Sequence, residues 1–357
     1  MLPYFFVTIA IVLAAVLLPQ KKPHPVAWGM AFVVLVLFIG LRHKVGMDWN
    51  NYLLMVQLAG SGTLVESFDY AEPAFAAVLW LSAKLGAGVY GTNFVVAIML
   101  MAGIFRFAKS TPLPWVAVAV ALPVLVIVVG MSAIRQASAI GVLLWLASDW
   151  STSSLKRRVA FTLVAAMFHF SAIFFLMFAA MGLKLRAEYK LIIGVVMGAA
   201  MVGFLQYSGG AEYYDQVYVS GQSDITYSSG ATQHVLLNGI PALLVLFGRR
   251  VRQTLFPSAL LVQMAWLAIL LIPAAFVFSA ASGRMTLYLF PVSMYVIAAL
   301  PGMFAQSSLR AALRTAVGGV LVGILYVWLQ YANSSYAHVP YNNALMMNEW
   351  ELHLCCE

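Results

Sequence analysis

Residues 40–52 read GLRHKVGMDWNNY and hold the densest cluster of polar and ionisable groups in a chain that is otherwise almost entirely apolar. Arg42 offers a permanently charged guanidinium whose planar donor fork matches phosphate oxygens. Asp48 offers a carboxylate that can take a proton from an attacking hydroxyl. Further along, Glu72, Arg135, His169 and Arg284 stand near the ends of apolar runs. An arginine at the middle of a membrane helix costs roughly 2.5–3.5 kcal/mol on insertion scales, so such residues face a wet cavity or a partner. Guanidiniums, carboxylates and an imidazole together supply both halves of a transfer reaction with a phosphate leaving group: cations for the departing anion and a base for the incoming hydroxyl. No DxD, HExxH or clustered His/Asp set suggests a metal, so the arginines would stabilise the leaving charge themselves and no cofactor is expected. The plainer reading pairs Arg135 and Arg284 with Asp48 and Glu72 to fix helix packing, and makes His169 an interior histidine.

The elements that must position these groups are helices in a membrane. Of 357 residues, 63% are hydrophobic and 9% are charged, whereas soluble domains carry roughly 25% charged residues. Apolar runs of about 20 residues recur, each long enough to cross roughly 30 Å of hydrocarbon as a helix. The expected fold class is all-α, a polytopic membrane protein with about 12 membrane segments, forming a single integral membrane domain over 1–357. A net charge of +8 then reflects where loops lie and does not argue for nucleic acid. The first run, Pro3 to Leu18, lacks a basic leader and a small-residue cleavage site, so it is read as a retained helix. Cys355 and Cys356 are adjacent and give neither a disulfide framework nor metal-ligand spacing.

Counting charges chooses between topologies. Crossings are expected near 2–18, 26–41, 91–108, 113–130, 136–148, 190–207, 232–248, 255–279, 285–304 and 315–332, with a short hairpin of 157–168 and 171–183. If the apolar stretch 72–86 lies at the outer interface, only Arg42, Lys44, Lys84, Arg135 and Arg284 of the 20 basic residues fall outside. If 73–88 crosses and 159–181 is one span, eight basic residues fall outside, including Lys156, Arg157 and Arg158, against the positive-inside rule. The first topology makes 42–90 and 208–231 extracytoplasmic loop segments. It also brings Arg42, Asp48, Glu72, Arg135, His169 and Arg284 to one outer face. Each hairpin arm has about 12 residues, or roughly 18 Å of helix, too short to cross. Its apex, HFSA at 169–172, is therefore expected below the membrane surface in a cavity that opens outward. Pro123, Pro241, Pro273 and Pro291 fall within expected crossings and would kink them. Gly46 reads as a turn between Arg42 and Asp48. In the 208–231 loop, Tyr213, Tyr214 and Tyr218 offer flat apolar faces with an edge hydroxyl, which suits a sugar; tyrosine is also enriched in interfacial belts.

GLRHKVGMDWNNY at 40–52, EPAF at 72–75, IRQASA at 134–139, FHFSA at 168–172, the GRM arginine Arg284 and PYNN at 340–343 form an ordered set. On it the chain resembles the EpsG-type branch of the Wzy-like polysaccharide polymerases over 40–343. Met47 and Trp49 depart from that pattern, which commonly has Thr and Tyr there. The resemblance implies a multi-pass enzyme of the bacterial inner membrane with its active face outward. It would join oligosaccharide repeat units carried on undecaprenyl pyrophosphate, for an exopolysaccharide, capsule or O-antigen, without nucleotide sugar or metal. A flippase and a chain-length regulator of the same pathway would be its partners. Arg42, Arg135 and Arg284 would then bind the donor pyrophosphate, and Tyr341 of PYNN joins the loop tyrosines as a sugar contact. Asp48, His169 and Glu72, in that order, are candidates for the base, although His near pKa 6.5 suits neutral pH better than an exposed Asp near 3.9. The rival readings are a transporter or flippase of the same lipid-linked saccharides, which the lack of an inverted repeat disfavours, and a membrane O-acyltransferase with His169 as base.

Overall fold

In hydrocarbon each backbone N–H and C=O must find its partner within the protein, which leaves an apolar chain of this kind the helix as its regular structure. The computed structural model describes residues 1–183, 186, 188, 189, 192, 230–276 and 279–347. Among them all named elements are helical, and one isolated bridge joins Arg42 to Asn343. Helices α1 (Leu2–Leu17), α2 (Pro25–Gly40) and α4 (Pro73–Lys84) have proline in the first turn, where its missing N–H has no helical partner to lose. Between α2 and α4 lies α3 (Trp49–Ser61). Next come α5 (Gly88–Lys109), α6 (Pro114–Ala121) and α7 (Ile134–Ser148), with α6 widening into a π-helical stretch at Leu122–Val129 next to Pro123. The hairpin is α8 (Leu155–Ala166), a 3₁₀ turn at Phe170–Phe175 and α9 (Leu176–Met181). The remaining helices are α10 (Ala231–Ala242), α11 (Arg249–Leu255), α12 (Ala259–Ala274), α13 (Ser279–Leu287), α14 (Phe290–Ala299) and α15 (Ser307–Tyr331).

The short hairpin is present, with arms close to the expected bounds. Other boundaries differ. The expected crossing at 255–279 is shorter, α12 starting at Ala259 with the Ser258 hydroxyl capping it through Leu261 N, and it is preceded by α11, which meets it at 107°. The expected crossing at 285–304 bends by 51° between α13 and α14, ahead of Pro291, which has no N–H to bond a preceding carbonyl. Helix α3 forms inside what reads as a loop. The expected helix 190–207 lies outside the described residues. Among the described residues two helices, α5 and α15, are long and apolar enough to cross a membrane, or four if each bent pair is one span; α1, α2, α4 and α7 are among the shorter apolar helices. The chain is thus a helical membrane protein, and the count of about twelve segments does not follow from helix length.

The tightest packing joins α5 to α7. A Cβ at Gly103 would lie 2.1 Å from the Gly141 carbonyl oxygen, and one at Gly141 would lie 2.4 Å from that of Met99, so the two backbones touch where any side chain would part them. This contact sets the depth of α7, whose first turn carries Arg135. At the other end of α7, Asp149 accepts from Arg106 of α5 and, at 3.0 Å, from Arg157 of α8. Arg158 packs on the Trp150 ring at 4.4 Å. The two ends of α7 therefore carry different chemistry, one basic and one mixed.

Candidate active site

Three helix N-termini converge at the mixed end. Asp48 is the N-cap residue of α3, Glu72 is that of α4, and Arg135 is the second residue of α7. Helices α3 and α4 start side by side, with the Tyr52 and Phe75 rings edge-on at 5.8 Å in their first turns. They also end together, where Lys84 Nζ donates to the Gly60 carbonyl at 2.9 Å. Their N-termini consequently point the same way, and the partial positive charge there favours the carboxylates.

Glu72 is the hub. Its Oε2 accepts from Arg135 Nη1 at 3.2 Å, and its Oε1 pairs with His169 Nδ1 at 3.1 Å and accepts from Phe170 N at 3.4 Å. The hairpin apex is held against α4 by Ala74 N, which donates to the Met167 carbonyl at 2.9 Å. Arg135 also meets the Tyr52 hydroxyl. The Glu72 and His169 side chains are 18% and 15% exposed and that of Arg135 is 37% exposed, so the group is sheltered but reachable. Burial alone would raise the Glu72 carboxyl; the His169 hydrogen bond and Arg135 outweigh it and hold the group down at about 2. Burial raises the Asp48 carboxyl, and the nearby Arg284 and Arg135 charges only partly offset this. Arg284 has an exposed side chain, and its backbone carbonyl accepts from Gln136 Nε2 at 2.9 Å. Asp48, Glu72, Arg135, His169 and Arg284 are thus brought to one place from five separate stretches of chain.

Arg42 is not brought there. It is 1% exposed. Its Nη1 donates to Ile39 O at 2.7 Å, Nε to Val45 O and Met131 O at 3.0 and 3.1 Å, and Nη2 to Asn93 Oδ1 at 3.1 Å. With its donors turned to protein acceptors, this side chain closes the C-terminus of α2, whose last carbonyls need partners, and it fixes the Met131 carbonyl just ahead of α7. The phosphate contact expected of Arg42 is corrected to this bracing role. The turn expected at Gly46 is present with φ +106°, and a Cβ there would overlap the Met131 oxygen at 1.8 Å.

Tyr341 is also engaged elsewhere. Its ring stacks on Phe38 at 4.5 Å and its hydroxyl donates to the Phe38 carbonyl at 2.8 Å while accepting from Asn343 Nδ2 at 2.8 Å. It packs the C-terminal strap onto α2. The strap bonds the loop that carries Asp48: His43 N donates to Asn342 O at 3.0 Å, Gly46 N to Ala337 O at 2.7 Å, and Ala344 N to Leu41 O at 2.8 Å. Tyr213, Tyr214 and Tyr218 lie outside the described residues.

Sequence reasoning missed Tyr52, Gln136 and the strap. The first two sit inside the segments NNY and IRQASA that were already distinctive, but nothing in their type marks them. Among the described residues, no group of three or more His, Cys, Asp or Glu side chains is placed to hold a metal ion. Ile140, Leu143, Leu144, Phe175, Tyr288 and Pro291 are buried together, and the Tyr288 hydroxyl bonds Ser171 Oγ at 2.9 Å, two residues from His169.

No curated protein and no solved structure gives a significant match to the chain. The EpsG family model matches residues 26–343, which takes in all five clustered residues. The chain belongs to the EpsG family.

Proposed function

We propose that this cluster transfers a growing glycan from a lipid pyrophosphate to a hydroxyl of the next lipid-linked repeat unit. Membership of the family points to a polysaccharide polymerase of glycosyltransferase type acting on lipid-linked sugars. The observation that carries the finer reading is Glu72, one carboxylate that bonds an imidazole through one oxygen and a guanidinium through the other. With Glu72 accepting from Nδ1–H, His169 keeps Nε2 as a proton acceptor, the arrangement that orients a general base. The acceptor oxygen attacks the anomeric carbon as its proton passes to His169 Nε2. The bond from that carbon to the pyrophosphate oxygen breaks, and the pyrophosphate departs with the electron pair against Arg135 and Arg284. Asp48, between the two arginines, orients them and is not the base.

In this reading the site faces outward from the bacterial inner membrane, the lipid is undecaprenyl pyrophosphate, and the product is an exopolysaccharide, capsule or O-antigen. A flippase supplies the units and a chain-length regulator acts beside the enzyme. Complementation of a strain lacking the protein tests it. His169→Ala, Arg135→Ala and Arg284→Ala should leave single repeat units at normal protein levels, and Asp48→Asn should shorten the polymer. Full-length polymer from His169→Ala and Arg135→Ala would sink the assignment. Translocation of lipid-linked units by purified protein, without elongation, would instead identify a transporter.

A further inference from the structure

Arg284 sits on α13, a helix of 9 residues that bends by 51° into α14. At that bend the hydrogen bonds shorten: Tyr288 N donates to Met285 O at 3.2 Å and Leu289 N to Thr286 O at 2.9 Å, three residues back instead of the helical four. So short and irregular an element does not hold a catalytic side chain in register by its own backbone. Three contacts from other helices hold it. Gly283 lies against the start of α10, where a Cβ would come within 2.8 Å of Ala231 Cβ. Asn238 Nδ2 donates to Thr286 O at 2.9 Å and to Thr286 Oγ1 at 3.2 Å. Gln136 Nε2 donates to Arg284 O at 2.9 Å.

The third contact differs in kind. Gln136 adjoins Arg135 on α7, so a single hydrogen bond ties the backbone of one arginine to the residue beside the other. Gln136 is itself 4% exposed and has no face to offer a ligand. Two cations meant for the two phosphates of one leaving group must keep a fixed separation, since a misplacement of about 1 Å can cost ~100-fold.

We infer that Gln136 is a positioning residue that sets the spacing of Arg135 and Arg284 and thereby tunes the site to a pyrophosphate over a single phosphate. This rests on the proposed pyrophosphate chemistry and adds to it a residue that touches no substrate. The test is binding of inorganic pyrophosphate and of inorganic phosphate to the purified full-length protein, in a double-mutant cycle with Arg284→Ala. Gln136→Leu should lower pyrophosphate affinity about ten-fold, leave phosphate affinity unchanged and keep the thermal midpoint. Gln136→Asn, polar but one methylene too short, should behave alike and stands in if Gln136→Leu does not purify. In the Arg284→Ala background either substitution should add nothing further. Equal losses for both ligands, additive losses in the cycle, or unchanged binding would overturn the inference alone. Wild-type protein that binds pyrophosphate no better than phosphate would overturn the pyrophosphate reading as well.

Discussion

The two ends of α7 hold similar residues in different company. At one end Asp149 binds Arg106 and Arg157, with the three side chains 28%, 38% and 39% exposed. At the other, Glu72 binds Arg135 and His169, with both Glu72 and His169 below 20% exposed. The Asp149 carboxyl is held down against its burial by Arg106 and Arg157, and that of Glu72 by the His169 hydrogen bond and Arg135. The charged partners of Asp149 are both arginines, which makes an anchored basic rim. Glu72 divides itself between a guanidinium and an imidazole. An ion pair is common; one carboxylate that also bonds an imidazole is the feature on which the proposed transfer chemistry rests.

The difference can be broken from either end. Removing the imidazole should have the largest effect: His169→Ala should lower the polymerisation rate ~10²–10⁴-fold, the range for loss of a positioned general base, in an assay of chain length against time. Arg42→Leu should act on stability instead. It leaves three backbone carbonyls and Asn93 Oδ1 without their donor, at roughly 1–3 kcal/mol for each buried acceptor that finds no replacement, read as loss of folded protein in detergent thermal scans. Gly46→Ala should follow, because strain at positive φ costs about 1–3 kcal/mol and the new Cβ meets the Met131 oxygen. Asp149→Asn should matter least, about 0.2–1 kcal/mol for exposed pairs, with polymer length unchanged.

Acid sharpens the same comparison. The Glu72 carboxyl is held at about 2, below its ordinary 4.5, so the stability it contributes is present above the unfolded value and is lost as pH falls from there toward the folded one. A thermal midpoint followed over that window should drop with acidification, and Glu72→Gln should flatten the drop.

How much of this was legible in the sequence differs from residue to residue for physical reasons. Glu72, Arg135, His169 and Arg284 could be gathered from charge counting, because charges at the ends of apolar helices have few places to go in a bilayer. Arg42 could not be told from a ligand residue, since two of its acceptors, Met131 O and Asn93 Oδ1, lie 89 and 51 positions away. Tyr341 misled for the same reason: what fixes it is Phe38, 303 positions earlier. Helix α3 was hidden because WNNYLLMVQLAGS mixes asparagines and a late glycine into a short apolar pattern, and it is tertiary packing on α4 that makes a helix of such a stretch. Pro291 foretold the bend between α13 and α14, but not that Gln136 and Asn238 would reach across to stabilise it.

In the proposed reaction Glu72 orients His169 as the base and Arg135 receives the leaving group. The most direct measurement is elongation by purified protein in liposomes supplied with lipid-linked repeat units, comparing wild type with His169→Ala and Glu72→Gln. Elongation by the wild type, with single units left by His169→Ala and a strongly slowed rate for Glu72→Gln, is the expected result. Elongation by His169→Ala at the wild-type rate would contradict the account.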